Sequence, residues 1–192
     1  MTLLILGLVI FLGVHSTRIV ADGWREATIA RIGEKPWKGV YAVLSIVGFV
    51  LLVIGYGAAR QSPVVLYTPP TWTRHLAALL TIPAFVLVVA AYVPLNSIKR
   101  AVGHPMVAGV KIWALAHLLA NGALADVLLF GSFLVWAVLS FTAARRRDRV
   151  AGTVYPVGSS ARNAITVAVG LVAWAAFAFA LHRPLIGVSP FG

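Results

Sequence analysis

Six apolar stretches, each close to the length that crosses a bilayer, occupy most of this chain of 192 residues. They run over about 2–20, 37–58, 72–93, 105–120, 123–142 and 164–181, and the fourth is the shortest. About 20 consecutive apolar residues span a hydrocarbon core, so this pattern predicts an all-α, polytopic membrane helix bundle of about six transmembrane helices. Composition agrees: 60% of residues are hydrophobic and only 11% charged, against about a quarter charged in a soluble domain. A surface so poor in charge faces lipid. The first stretch lacks the basic n-region and small-residue cleavage site of a signal peptide, so it is read as a mature helix.

The connections differ. Residues 15–38 are polar and punctuated by Gly and Pro, and are able to extend the first helix beyond the membrane. Residues 61–71 hold Pro63, Pro69 and Pro70 and read as an irregular loop. Asn121-Gly122 is a tight-turn dipeptide that predicts a close hairpin of the fourth and fifth helices. Pro83 predicts a kink in the third. No repeat or low-complexity tract interrupts the chain, so one domain over 1–192 is the economical reading.

A net charge of +11 would suggest nucleic acid in a soluble protein. In a membrane protein it marks the cytoplasmic loops, and no nucleic-acid role is expected. With the N-terminus outside, only Arg60, Arg74 and Arg183 of the 16 Lys and Arg fall on the outer side. That asymmetry predicts both termini periplasmic and an even helix count. Trp37, Trp72, Trp113 and Trp174 fall near segment ends, as interfacial anchors or packing residues do.

With no cysteine in the chain, neither a disulfide nor a thiolate metal site is possible, and any metal or haem must be held by His, carboxylate, Met or Tyr. Ionisable residues inside a bilayer are functional candidates because they are expensive to place there. Here they are His15, His75, His104, Lys111, His117, Asp126 and His182. His15 reads either as an interfacial histidine bonded to a carbonyl or headgroup, or as a ligand. His117 sits in an apolar wall and needs a partner, since leaving a polar group unpaired costs about 1–3 kcal/mol. That partner is Asn121 or a backbone group on the structural reading, or iron through its free nitrogen on the functional one. His104-Pro105 is a helix start. The amide groups exposed there, with Lys99, Arg100 and Lys111, are able to bind an anion such as a phosphate, a haem propionate or a cofactor carboxylate. Snorkelling is the plainer reading of Lys111. His104 and His117, thirteen residues apart on one helix, are separated by roughly 20 Å and cannot bind one atom.

Two groups of residues carry a family resemblance. One is Gly13-Val14-His15-Ser16-x-Arg18. The other is Gly103-His104-Pro105 with Gly109, Trp113, Ala116-His117 and Asn121-Gly122. In this order and spacing the chain resembles the NnrU family of bacterial membrane proteins over nearly its whole length. The resemblance implies a multi-pass protein of the inner membrane, linked to expression or activity of nitrite and nitric oxide reductases, with respiratory reductase components as partners. A plant and cyanobacterial relative, zeta-carotene isomerase, is a membrane haem b enzyme. Its proposed axial ligands are a histidine before Ser in an early helix and a histidine thirteen positions after a His-Pro pair. Carried across, these positions are His15 and His117, with haem b as cofactor and Lys99, Arg100 and Lys111 as propionate candidates. Gly103 and Met106 stand where the isomerase has Arg and Gln. By the spans drawn above, His15 lies toward the cytoplasmic side and His117 toward the periplasmic half. His15 with His104 suits depth; His15 with His117 suits the family.

Three functions compete on these residues. One is a bis-histidine haem protein, serving denitrification or a haem-dependent isomerisation. Another is a membrane methyltransferase similar to isoprenylcysteine carboxyl methyltransferase, which uses a His-Pro pair to help bind S-adenosylmethionine and acidic residues after the hairpin, where this chain offers only Asp148. The last is a non-enzymatic accessory factor on a respiratory complex.

Overall fold

The structure, a computed structural model, describes residues 1–191. Among the described residues nine α-helices follow one another: α1 Thr2–Val20, α2 Asp22–Ile32, α3 Glu34–Ala59, α4 Trp72–Tyr92, α5 Ser97–Val102, α6 Pro105–Ala120, α7 Leu124–Ala151, α8 Ser160–Ala175 and α9 His182–Ile186. A π-helical turn, Ala176–Leu181, joins the last two. The described residues form no sheet, only an isolated bridge between Val65 and Ala123.

Five helical stretches are long and apolar enough to cross a membrane: α1, α3, α4, α7 and the continuous 160–186 run. The sixth apolar stretch forms α6, which has 16 residues. That is about 24 Å, short of the roughly 30 Å core. The Pro-rich 61–71 loop folds over its C-terminal end. Leu66 and Tyr67 donate their amides to the Gly122 carbonyl at 2.9 and 3.2 Å, and Leu124 donates to Val64 at 2.8 Å. The Tyr67 hydroxyl donates to the carbonyls of Leu118 and Asn121. A short helix inside a membrane protein is tolerable when protein satisfies its exposed backbone. The Asn121-Gly122 turn is therefore one side of a three-segment junction rather than a free hairpin.

Local chemistry sets the other boundaries. The Asn96 side chain caps α5 by accepting from the Lys99 amide at 2.7 Å, and Ser159 caps α8. Pro105 occupies the first turn of α6, where its missing donor costs nothing. Asp126 accepts from the Ala123 amide at the start of α7. Residues 15–38, expected as a polar extension, instead break at Ala21 and fold back as the separate helix α2.

Packing orders the apolar helices as an arc, α3–α1–α7–α6–α4–α8. Helices α1 and α3 are antiparallel and touch backbone to backbone: a Cβ on Gly48 would lie 2.8 Å from the Phe11 amide nitrogen. Small residues allow such approach where hydrophobic burial drives nothing, as between helices in lipid. Large apolar side chains point outward on the flanks, for example Val9, Val43 and Val172. The helices alternate in direction, so the N-terminus and the 182–191 segment lie on one side. The basic 145–149 run ends α7 on the other.

Candidate functional site

Helix α7 measures the depth of the three histidines that face it. Phe133 lies about a third of the way along it, 5.8 Å between centroids from Phe11 of α1 and 5.6 Å from Trp113 of α6. These three rings form one layer. His15 lies one turn beyond Phe11 and stacks on it at 4.2 Å; on its other sides are Tyr41 and Trp136. His117 lies one turn beyond Trp113 in the opposite direction. It stacks on the buried Phe130 at 4.6 Å and meets Trp113 at 5.2 Å.

Both imidazoles are held in the same way. The Nδ1 of His15 is 2.6 Å from the Phe11 carbonyl, and the Nδ1 of His117 is 2.8 Å from the Trp113 carbonyl. A carbonyl oxygen only accepts, so Nδ1 carries a proton in each ring, and in the neutral imidazole Nε2 then keeps the lone pair. Helical side chains lean toward their own N-terminus, and α1 and α6 run in opposite directions. The two rings therefore lean toward the shared layer from opposite sides. Asn121, expected as a partner of the His117 ring, donates to the His117 carbonyl at 2.9 Å instead.

This donor set has the chemistry a haem needs: neutral imidazoles with fixed tautomers and free Nε2 atoms, in an aromatic wall. Spacing adds a condition. Trp136, beside His15, follows Phe130, under His117, by six residues, which is about 9 Å along α7. Imidazole nitrogens bind metals at about 2 Å, so two on one iron stand roughly 4 Å apart. Phe11, Phe133 and Trp113 fill the space between these two, and one iron reaches both nitrogens only if that layer parts. The depth mismatch expected from the sequence is thus real, and its cause is a full aromatic layer.

His104 is elsewhere. Its Nε2 lies 2.9 Å from Asp148 Oδ2, and the Tyr155 hydroxyl donates to that same oxygen at 2.9 Å. Arg145 approaches it at 3.9 Å. Burial, and donation to the Asp148 carboxylate, push the Tyr155 hydroxyl above the ordinary tyrosine range. Gly103 has φ +78 here, and a Cβ on it would meet Arg145 Nη1 at 2.7 Å. Only glycine suits that position. His104 is not paired with His15, the option that suited depth.

The anion set expected at the start of α6 does not assemble. Lys111 Nζ lies 4.1 Å over the Phe141 ring, Lys99 donates to the Ala91 carbonyl at 3.1 Å, and Arg100 is exposed on α5. His75 is exposed, and His182 Nδ1 is 2.7 Å from the Val188 carbonyl. Among the described residues no cluster of three or more His, Asp or Glu is placed to hold a metal ion. Sequence reasoning missed Phe130, Phe133 and Tyr155. It also missed the link of Tyr56 to the buried Asp126 at 2.6 Å. The one available signal was Asp148, the lone acid in Arg145-Arg146-Arg147-Asp148-Arg149.

Fold and site together define a multi-pass membrane helix bundle whose protein-facing wall carries oriented imidazoles. The chain belongs to the NnrU family: the family pattern described as NnrU protein matches residues 3–190. No curated protein and no solved structure matches it.

Proposed function

We propose that this NnrU protein binds haem b within the membrane through His15 and His117, with the Phe11–Phe133–Trp113 layer parting to admit it, and acts as an accessory to nitrite and nitric oxide reductases. One observation carries the reading. Two imidazoles on separate helices have Nδ1 tied to the carbonyl four residues back and flank one aromatic layer from opposite sides. Haem, when bound, would supply a redox-active iron.

The chain's own residues do the rest. The Phe11 and Trp113 carbonyls accept from Nδ1 and fix the orientation of each ring. Phe130 and Trp136 hold the rings from behind, and lipid-facing side chains keep water out of the wall. The test is absorption of the detergent-purified protein after haem supplementation. A Soret band that is lost in His117→Ala supports the reading, and no band in the wild-type protein contradicts it.

A second reading has its own observation. Asp148, the one acid after the hairpin, pairs with His104 of the His-Pro dipeptide, which is the juxtaposition a methyltransferase of the isoprenylcysteine carboxyl type would use for S-adenosylmethionine. Calorimetric titration with S-adenosylmethionine separates the two: heat that vanishes in Asp148→Asn favours this reading, and no heat removes it.

A further inference from the structure

A recess of about 440 Å³ opens between α1, α2 and α3 on the basic face. It exists because α2 folds back beneath the end of α1 instead of extending it. Its lining joins the aromatic rings of His15, Tyr41 and Trp37 to the charged Arg18, Arg25 and Glu34. Lys38 also lines it, but its ammonium is paired with Glu34 at 2.8 Å.

The two arginines are not so satisfied. Both approach one oxygen, Asp22 Oδ1, Arg18 at 3.9 Å and Arg25 at 3.5 Å. Both distances are too long for a good hydrogen bond, and that oxygen is buried with no hydrogen-bond partner. Two guanidinium forks thus surround a single carboxylate, leaving one positive charge and most of their N–H donors unspent. Trp24 and Trp37 meet edge to face at 5.8 Å beside them, as aromatic side chains do at headgroup depth.

We propose that this recess binds a phosphate group, with Arg18 and Arg25 as its donors. Guanidinium forks match phosphate oxygens in pairs, and a ligand with a charged head and an apolar body matches a lining that joins guanidinium groups to aromatic rings. The phosphate comes from a lipid headgroup or from free phosphate. The proposal stands apart from haem binding, because the variants below leave His15 intact.

Native mass spectrometry of the detergent-purified protein tests it with dioctanoyl phosphatidic acid as probe and dioctanoylglycerol as its phosphate-free counterpart. The expected result is that phosphatidic acid binds and the glycerol does not. Arg18→Ala/Arg25→Ala should weaken binding at least tenfold, while Arg31→Ala, on α2 outside the recess, should bind as wild type. If the double variant does not fold, Arg25→Gln is read instead and should weaken binding at least threefold. Displacement by excess inorganic phosphate identifies free phosphate as the ligand; retention identifies the lipid. Equal binding of dioctanoylglycerol, wild-type binding by the arginine variants, or an equal loss in Arg31→Ala overturns the proposal.

Discussion

The His117 imidazole lies nearly flat on Phe130, with ring centroids 4.6 Å apart and planes 30° from parallel. Phe130 is 5% exposed and also meets Trp113 and Tyr56 edge to face. It is the seat on which the histidine's orientation rests. Replacing a well-packed Phe by Ala costs about 3–5 kcal/mol. Phe130→Ala should therefore melt several degrees lower in detergent, and Phe130→Leu should recover most of the loss. Thermal unfolding followed by circular dichroism checks both.

The α1–α3 contact should be intolerant of side chains at one glycine and indifferent at another. A Cβ at Gly48 falls 2.8 Å from the Phe11 nitrogen, backbone that cannot swing aside, whereas one at Gly57 meets nothing within 4 Å. Gly48→Val should give low yields of aggregated protein, and Gly57→Val should elute as wild type. Size-exclusion chromatography of the two variants decides.

The Asp148–Tyr155 bond fastens the 152–159 connection to α7. Asp148→Asn weakens it by removing the charge that strengthens the bond. Amide exchange over 152–159 should rise about tenfold, with little change in α1 and α3. The pH dependence has a definite sign. The Tyr155 hydroxyl is raised above its ordinary value of 10.0, so the folded state favours the protonated form. The contribution is complete below pH 10 and is lost as pH climbs through the raised value. Faster exchange of this segment at high pH should be absent from Tyr155→Phe, which is already loose at pH 7.

The C-terminal turn is held by one cation. Arg60, at the end of α3, donates to the Ile186 carbonyl at 2.6 Å. Arg60→Ala should speed amide exchange in 182–190 several-fold while leaving α8 protected, and Arg60→Lys should restore it only in part, because the shorter point charge lacks the guanidinium's reach.

How far the sequence could be read depended on whether an interaction was local. The apolar stretches and the Pro105 start are short-range patterns, and they placed the helix starts to within a few residues, while α7 runs nine residues past the expected end at 142. The length of α6 was legible too, but not what completes it. That role falls to Tyr67 and the Val64–Tyr67 backbone, more than fifty residues away, and no periodicity reports it. Nor did composition show that α2 turns back, because that depends on the break at Ala21 and Gly33. At the site, His15 and His117 stood out as ionisable residues within apolar stretches, and only the family resemblance paired them. Their matched tautomers follow from helix geometry, since each ring reaches the carbonyl four residues before it. The partners that distinguish the histidines were not legible. Phe130 under His117 and Asp148 beside His104 lie thirteen and forty-four positions away, on a helix whose rotation the sequence does not state. The expected anion set failed for the same reason: Lys99, Arg100 and Lys111 are near in sequence but face different neighbours.

Electron paramagnetic resonance of the ferric, haem-supplemented protein tests the central claim most directly, because it reads the ligands on both sides of the iron. The account predicts a low-spin bis-imidazole signal in the wild type that becomes high-spin in His15→Ala and, separately, in His117→Ala. A low-spin signal that persists unchanged in either variant would show that the two imidazoles do not share an iron.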